Sequence, residues 1–464
     1  MSGRSTLKII ALNFGLMSGV AAATLTSASV EPVQAETIRE SLSIAYTNNP
    51  TLNAARAQLR SVDENVPQAL SGWRPTVTAG ASAGGIRSRI DNRFDSYRNN
   101  ASISLTISQT IFRGFRTINS TRQAEAVVRA QRESLFSTEQ DTLLGAATVY
   151  VDVIRDTALV SLQRSDLKFL QEQVRAAKDR FEVGEGTRTD VSQAEARAAE
   201  ARASLNVALA NLNASRAVYR QIVGIEANNL SADTSIKRQV PKSLDVALQI
   251  SEDKQPLIRQ AQQLVDAAIF NIKGIEGELL PTVTLDGSIG RDWNPSANVD
   301  TNDNAQIFGN VSIPIYQGGA VSSRVRQAKE ELGQTRLQLD IARDQVRANV
   351  ISAWGNYQAA EASIVAAQAA VEAQQLALEG VIEEQRVGQR TTLDVLDAQR
   401  ELVTQQSNLV SAQRNRITGG YQLVASIGQL DAESLGLNVA RYNPKQHYEA
   451  VRGKWLGLRT PDGR

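Results

Sequence analysis

The chain has 464 residues, with 50 Lys and Arg against 49 Asp and Glu, one histidine and no cysteine. The missing cysteine excludes a disulfide framework, thiolate-ligated metals, a thiol nucleophile and an acylated lipoprotein terminus, and a lone histidine, His447, excludes multi-histidine metal sites and reads as a solvated surface imidazole. A net charge of +1 with no Lys/Arg block of five or more gives nucleic acid no electrostatic footprint.

In chain order, Arg4 and Lys8 precede a short apolar run, Ile9 to Val20, and Val33-Gln34-Ala35 offers a small-residue cleavage site. This is the pattern of a secretory signal peptide over residues 1–35. The run is too short, and too interrupted by Asn13, Gly15 and Ser18, for a membrane anchor. No later stretch holds eighteen apolar residues, so any return to a bilayer would be by strands.

The rest is written twice. Asn49-Pro50 matches Gln255-Pro256, and Arg74-Pro75-Thr76-Val77-Thr78 matches Leu280-Pro281-Thr282-Val283-Thr284, at a spacing of 206. Ile111-Phe112-Arg113-Gly114 matches Ile315-Tyr316-Gln317-Gly318, and Val183-Gly184 and Asp190-Val191 match Val387-Gly388 and Asp394-Val395, at 204. This predicts a first repeat over 36–224, a connector over 225–243, a second repeat over 244–428 and a polar C-terminal tail over 429–464.

Each repeat opens on a helix, about 41–72 and 244–279. A pair of strands follows, predicted at 76–86 with 102–112 and at 282–290 with 307–316. Apolar Ile103, Leu105, Ile107 and Ile111 alternate with Ser102, Ser104, Thr106, Ser108 and Thr110. The polar stretches 87–100 and 292–304 read as linkers, and Pro314 as an end feature of the last strand.

Proline-free runs at 115–183 and 320–387 then span about 68 residues, roughly 100 Å of helix at 1.5 Å per residue. Their apolar period is seven: Val153, Val160, Leu167, Val174, Phe181, and Val350, Tyr357, Ile364, Val371, Leu378. A sustained heptad predicts long helices packed lengthwise on others. Glycine turns lead to return helices at 190–223 and 394–427, so each long helix is opposed by two half-length helices stacked end to end. Ten-residue strands are long enough, tilted, to cross an outer membrane, but four strands cannot close a barrel. Two chains would leave an eight-stranded barrel filled by side chains, whereas three would make twelve strands and a lumen.

Together the tandem halves, the strand pairs after Arg-Pro-Thr and Leu-Pro-Thr, the junctions Phe112-Arg113-Gly114 and Tyr316-Gln317-Gly318-Gly319, and the stretch Val387 to Gln399 resemble the TolC family of outer-membrane export ducts. The resemblance covers nearly all of 36–430. It implies a mainly α fold with β, in which a long antiparallel coiled-coil α-barrel joins four transmembrane strands per chain in a shared 12-stranded β-barrel. It also implies a homotrimer contacting outer-membrane lipid and docking a periplasmic adaptor, or membrane fusion protein, with an inner-membrane pump or ABC transporter. Function would be multidrug efflux or type I secretion, with no cofactor.

By the same resemblance Asp394 and Asp397 form an acidic ring at the periplasmic entrance, their pKa values raised by mutual repulsion of three copies. Arg390, Asp190 and Thr189 make contacts that hold the entrance closed, and the hairpin tips at Val183, Gly184, Thr187, Val387, Gly388 and Thr391 meet the adaptor. Gln385 departs from the tyrosine of the prototype. Read without the family, Thr187-x-x-Asp190 and Thr391-x-x-Asp394 are helix-capping boxes, while Asp397 has no capping reason. Gly184-Glu185-Gly186 lacks the third glycine of a dinucleotide loop, and no Walker A motif occurs. Two other readings remain open: a structural or adhesive coiled-coil trimer anchored by its strands, and an exported enzyme, which the lone histidine disfavours.

Overall fold

The computed structural model describes residues 36–90, 94–232, 236, 239–296 and 298–463; the expected signal peptide, 1–35, lies outside them. The first half runs α1 (Ile38–Asn48), α2 (Pro50–Asp63), α3 (Asn65–Leu70), β1 (Thr76–Ile90), β2 (Phe94–Arg113), α4 (Arg116–Glu182) and α5 (Arg188–Val223). The second runs α6 (Leu244–Lys254), α7 (Pro256–Glu276), β3 (Thr282–Ser296), β4 (Val299–Ser312), α8 (Ala320–Arg386) and α9 (Thr392–Ser426), and α10 (Gln446–Arg452) lies in the tail. The fold is mainly helical with one antiparallel sheet, in the order β1-β2-β3-β4. Among the described residues no helix is long and apolar enough to cross a membrane.

The long helices are the frame. α4 packs on α1, α2 and α3 along one part of its length and on α5 along the rest, while α8 packs on α6, α7 and α9. The seven-residue seam is the buried stripe: Val153, Val160, Val350, Tyr357, Ile364 and Leu378 are all buried. Phe181 departs from it and is exposed. It sits in the last turn before the α4–α5 tip, where little remains opposite to cover it.

The opening helix of each half is broken where one continuous helix is expected. Pro50 and Pro256 lack the N–H that continues a helix and force the preceding residue out of the helical region. Asn49 and Gln255 accordingly have ψ of 124° and 120°, and the Asn49 side chain caps α2 by accepting from Thr51 and Leu52. The strands are also longer than the sequence suggests. Residues 87–90 and 94–100, and 292–296 and 299–304, continue the two hairpins, with Arg87 facing Tyr97 and Asp292 facing Asn302. Backbone pairing does not need apolar side chains, and these segments carry no apolar alternation to read. β4, by contrast, begins at Val299 and stops at Ser312, so Ile313 and Ile315 lie beyond it; Pro314 cannot donate to a ladder.

His447 is not the solvated surface imidazole that the sequence suggests. Its side chain is 11% exposed, and Nδ1 lies 3.0 Å from Oδ2 of fully buried Asp63. The tail folds back on the first half: Leu430, Leu435, Leu437 and Val451 are buried, and the Ala432 amide donates to Glu139. The Tyr150 and Tyr219 hydroxyls donate to the carbonyl and side chain of Glu36 at 2.8 and 2.6 Å.

Candidate functional site: a two-faced sheet and the hairpin tips

Register assigns the faces of the sheet. Val77, Ile107, Gly287 and Ile307 form one row across the four strands, and Ala79, Leu105, Ile289 and Ala305 the next. Between them lie, on the opposite face, rows such as Thr78, Thr106, Ser288 and Gln306, or Ser82, Ser102, Asp292 and Asn302. One face is therefore apolar and the other polar. Ile103, Ile107, Ile289, Ile307 and Val311 are exposed on the apolar face, as suits a surface whose solvent is lipid. On β1 this face is apolar from Val77 to Ala83, about 20 Å over six steps of ~3.3 Å, most of the ~25 Å band of an outer-membrane barrel, while on β3 and β4 the Ala81 row ends in the ion pair Arg291–Asp303.

The far ends of the hairpins are two copies of one turn. After α4 the Gly184 amide donates to the Phe181 carbonyl at 3.1 Å and the Glu185 amide to Arg180 at 2.8 Å; after α8 Gly388 donates to Gln385 at 3.0 Å and Gln389 to Glu384 at 2.9 Å. This double closure is a Schellman motif, and it requires a left-handed residue just past the helix. Gly184 and Gly388 supply it at φ +82° and +78°. Valines stand beside them at 71% and 70% exposure, Val183 and Val387, so the tips end in apolar side chains that nothing in the chain covers.

The return helices start on complete capping boxes. Thr187 accepts from the Asp190 amide and Asp190 from the Thr187 amide, at 3.2 and 3.0 Å; Thr391 and Asp394 repeat the exchange at 3.2 and 2.8 Å. Hydrogen bonds from Thr391, with Arg390 nearby, hold the Asp394 carboxyl below the usual range, and those from Thr187 do the same for Asp190. The rise expected from converging copies is thus opposed, in one chain, by the caps.

Asp397 sits one turn further on and makes no cap. Its Oδ1 accepts from Arg197 Nη2 at 3.0 Å, across from α5, with Arg400 at 3.7 Å. Arg197 was not legible as a site residue; its only sequence signal is that it lies seven positions, two turns, after Asp190. Below it Asp166 of α4 and Gln399 of α9 share a buried hydrogen bond of 2.8 Å. Arg390 donates instead to Glu384 of its own hairpin at 2.8 Å, and Gln385 to Thr392 at 3.3 Å. Within one chain Arg390 makes no bond to Asp190 or Thr189, and Thr189 is exposed.

A sheet with one lipid-facing side, carried on helical hairpins of some 100 Å, defines a subunit of a membrane-inserted duct. The chain belongs to the outer membrane efflux protein family, whose model matches residues 41–224 and 247–429, one match per repeat. It is 43% identical to the outer membrane efflux protein BepC of Brucella suis over 96% of this chain and 97% of that one. It is 28% identical to the outer membrane protein TolC of Escherichia coli, covering 89% and 86%. The fold is shared with the Campylobacter jejuni CmeC outer membrane channel, at a TM-score of 0.76 and 14% identity over 90% and 89% of the two chains. The protein is an outer-membrane exit duct that extends into the periplasm.

Proposed function

We propose that three copies close head to tail into one conduit, docked at its periplasmic tips by an adaptor and an inner-membrane pump, through which small molecules leave the cell. One observation carries this: the same contact is left unmade at three levels. Half one meets half two through β2 on β3, α4 on α7 and α4 on α9. The equivalent contacts in the other order, β4 on β1, α8 on α2 and α3, and α8 on α5, have no packed counterpart inside the chain. An interface that presents two different, complementary edges makes a ring when its rotation closes. Open strand edges in lipid demand that it close, and three chains are the smallest number that leaves a lumen.

The Brucella relative is an efflux protein, and no energy source is needed in the duct if the pump supplies it. Asp394 and Asp397 then ring the entrance. Arg390, Asp190 and Thr189 become closure contacts between hairpins once neighbouring copies approach. Val183, Gly184 and Thr187, with Val387, Gly388 and Thr391, offer the adaptor two equivalent apolar knobs per chain.

Reconstituted in planar bilayers, the purified protein is expected to carry a steady, cation-preferring current. An adhesive trimer with a filled barrel carries none, and a silent bilayer containing correctly inserted protein overturns the proposal.

A further inference from the structure

A groove of about 950 Å³ opens where α4, α7 and α8 meet just below the sheet. Which side of the wall it opens on follows from the β-bulge after Thr110. Beyond the bulge Phe112 faces Val283, on the apolar side, and Arg113 faces Thr282, on the polar side. Phe112 stacks edge-on against Phe115, with ring centroids 5.1 Å apart, and Phe115 is a wall of the groove. The groove therefore continues the lipid-facing side of the sheet. A separate, polar groove contains Arg113, on the side of the lumen.

The lining divides by chemistry. Phe115, Leu279 and Leu280 are apolar and exposed at 55%, 49% and 41%. Arg122, Lys273 and Arg326 add three cations. Arg122 and Lys273 lean on the Phe270 ring at 5.9 and 5.7 Å, and among the described residues none of the three has a carboxylate within ion-pair distance. The acid in the lining, Glu276, faces Lys329 instead, at 3.7 Å. Arg122 lies seven residues along α4 from Phe115, about 10 Å, a little beyond the headgroup layer of about 5–8 Å, and helical side chains lean back toward the N-terminus, here toward that layer.

We propose that this groove binds an anionic phospholipid of the periplasmic leaflet. The phosphates sit among Arg122, Lys273 and Arg326, and the acyl chains rise over Phe115, Leu279 and Leu280 onto the apolar face of the sheet. The inference rests on that face meeting lipid. A zwitterionic headgroup would add its ammonium to three unpaired cations, whereas an anionic headgroup is attracted by each of them. The site therefore discriminates by net headgroup charge.

The test is lipid retention by the full-length assembly in mild detergent, read by native mass spectrometry after adding phosphatidylglycerol or phosphatidylethanolamine. Wild type is expected to retain phosphatidylglycerol preferentially, up to one per chain. The triple variant Arg122→Gln, Lys273→Gln, Arg326→Gln should lose that retention by about tenfold or more, the worth of some 1.4 kcal/mol, with phosphatidylethanolamine unchanged. Equal retention of the two lipids by wild type, or of phosphatidylglycerol by both proteins, overturns the proposal. So does full displacement by millimolar inorganic phosphate, which would make it a simple anion site. Should the triple variant not assemble, the unmodified protein still decides the matter: phosphatidylglycerol retention must fall as salt rises, and retention indifferent to salt sinks the idea. Oligomeric state and conductance, measured on the same sample, report separately on the duct.

Discussion

Alanine at Gly318 is expected to cut the yield of assembled duct by an order of magnitude or more while leaving the single chain's own packing intact. The argument starts from its repeat partner. Gly114 follows β2 directly, at φ +57°, and a Cβ there would lie 2.0 Å from the Gly277 carbonyl oxygen; a Cβ on Gly277 would lie 2.1 Å from that of Gly114. Two glycines thus let the halves of one chain touch backbone to backbone at the base of the sheet. No side chain fits without driving them apart, so Gly114→Ala and Gly277→Ala should both abolish folding. Gly318 has the same left-handed φ, +62°, but nothing within 4 Å. Within one chain, alanine there costs only the left-handed penalty, about 1 kcal/mol. If the ring closes, Gly318 faces Ser71 of the partner subunit, the residue 206 positions before Gly277, and the substitution acts at that seam alone. Trimer yield on unboiled gels, compared with circular dichroism of the chain, separates the two costs. Gly318→Ala assembling like wild type would mean that the seams are not equivalent.

Neutralising the entrance should change which ions pass. Asp394→Asn with Asp397→Asn removes six carboxylates from a ring of three chains and is expected to lower cation-over-anion selectivity roughly tenfold and to abolish block by divalent cations. The two positions are not equal. Asp394 is held by its cap with Thr391, and its replacement also loosens the start of α9. Asp397 has no such duty, so Asp397→Asn is the cleaner change. Its charge is partly offset by Arg197 at 3.0 Å, a half-exposed pair of modest strength. Arg197→Gln should therefore move selectivity the other way, toward cations. Reversal potentials in a KCl gradient measure both signs. Unchanged selectivity in the double variant removes these residues from the conduction path.

Much of this architecture was legible because its physics is periodic. Heptads mark Val350 through Leu378 as a seam, alternation marks Ile103 to Ile111 as a strand with two solvents, and the offsets of 206 and 204 mark the duplication. What is aperiodic was not. The outer ends of the hairpins, such as Arg87 opposite Tyr97, pair through their backbones and carry no apolar alternation. His447 finds Asp63 across 384 positions, and Arg197 finds Asp397 across 200; such pairs depend on how helices stack. The tips were readable as caps because Thr-x-x-Asp is local. Within one chain Arg390 pairs with Glu384, six residues away, a contact that the spacing does not announce. The groove below the sheet had no sequence signature, because its cations come from three helices.

Duplication also fixes the expected seam between chains. Thr106 faces Ser288 within the chain; moved to their repeat partners, 204 residues on and 206 back, they become Asn310 and Ser82. Both belong to the polar face, where an oxidant in the lumen can reach them, and the chain has no other thiol to interfere. Oxidising Ser82→Cys with Asn310→Cys in intact outer membranes is the most direct test of a duct completed by three chains. The expected product is a covalent species of three chains that survives boiling, absent from either single variant. It should also be absent from Thr78→Cys with Asn310→Cys, whose partners lie four residues, about 13 Å, out of register and beyond disulfide reach. Only monomers after oxidation, or a ladder that stops at two chains however long the reaction, would contradict the ring.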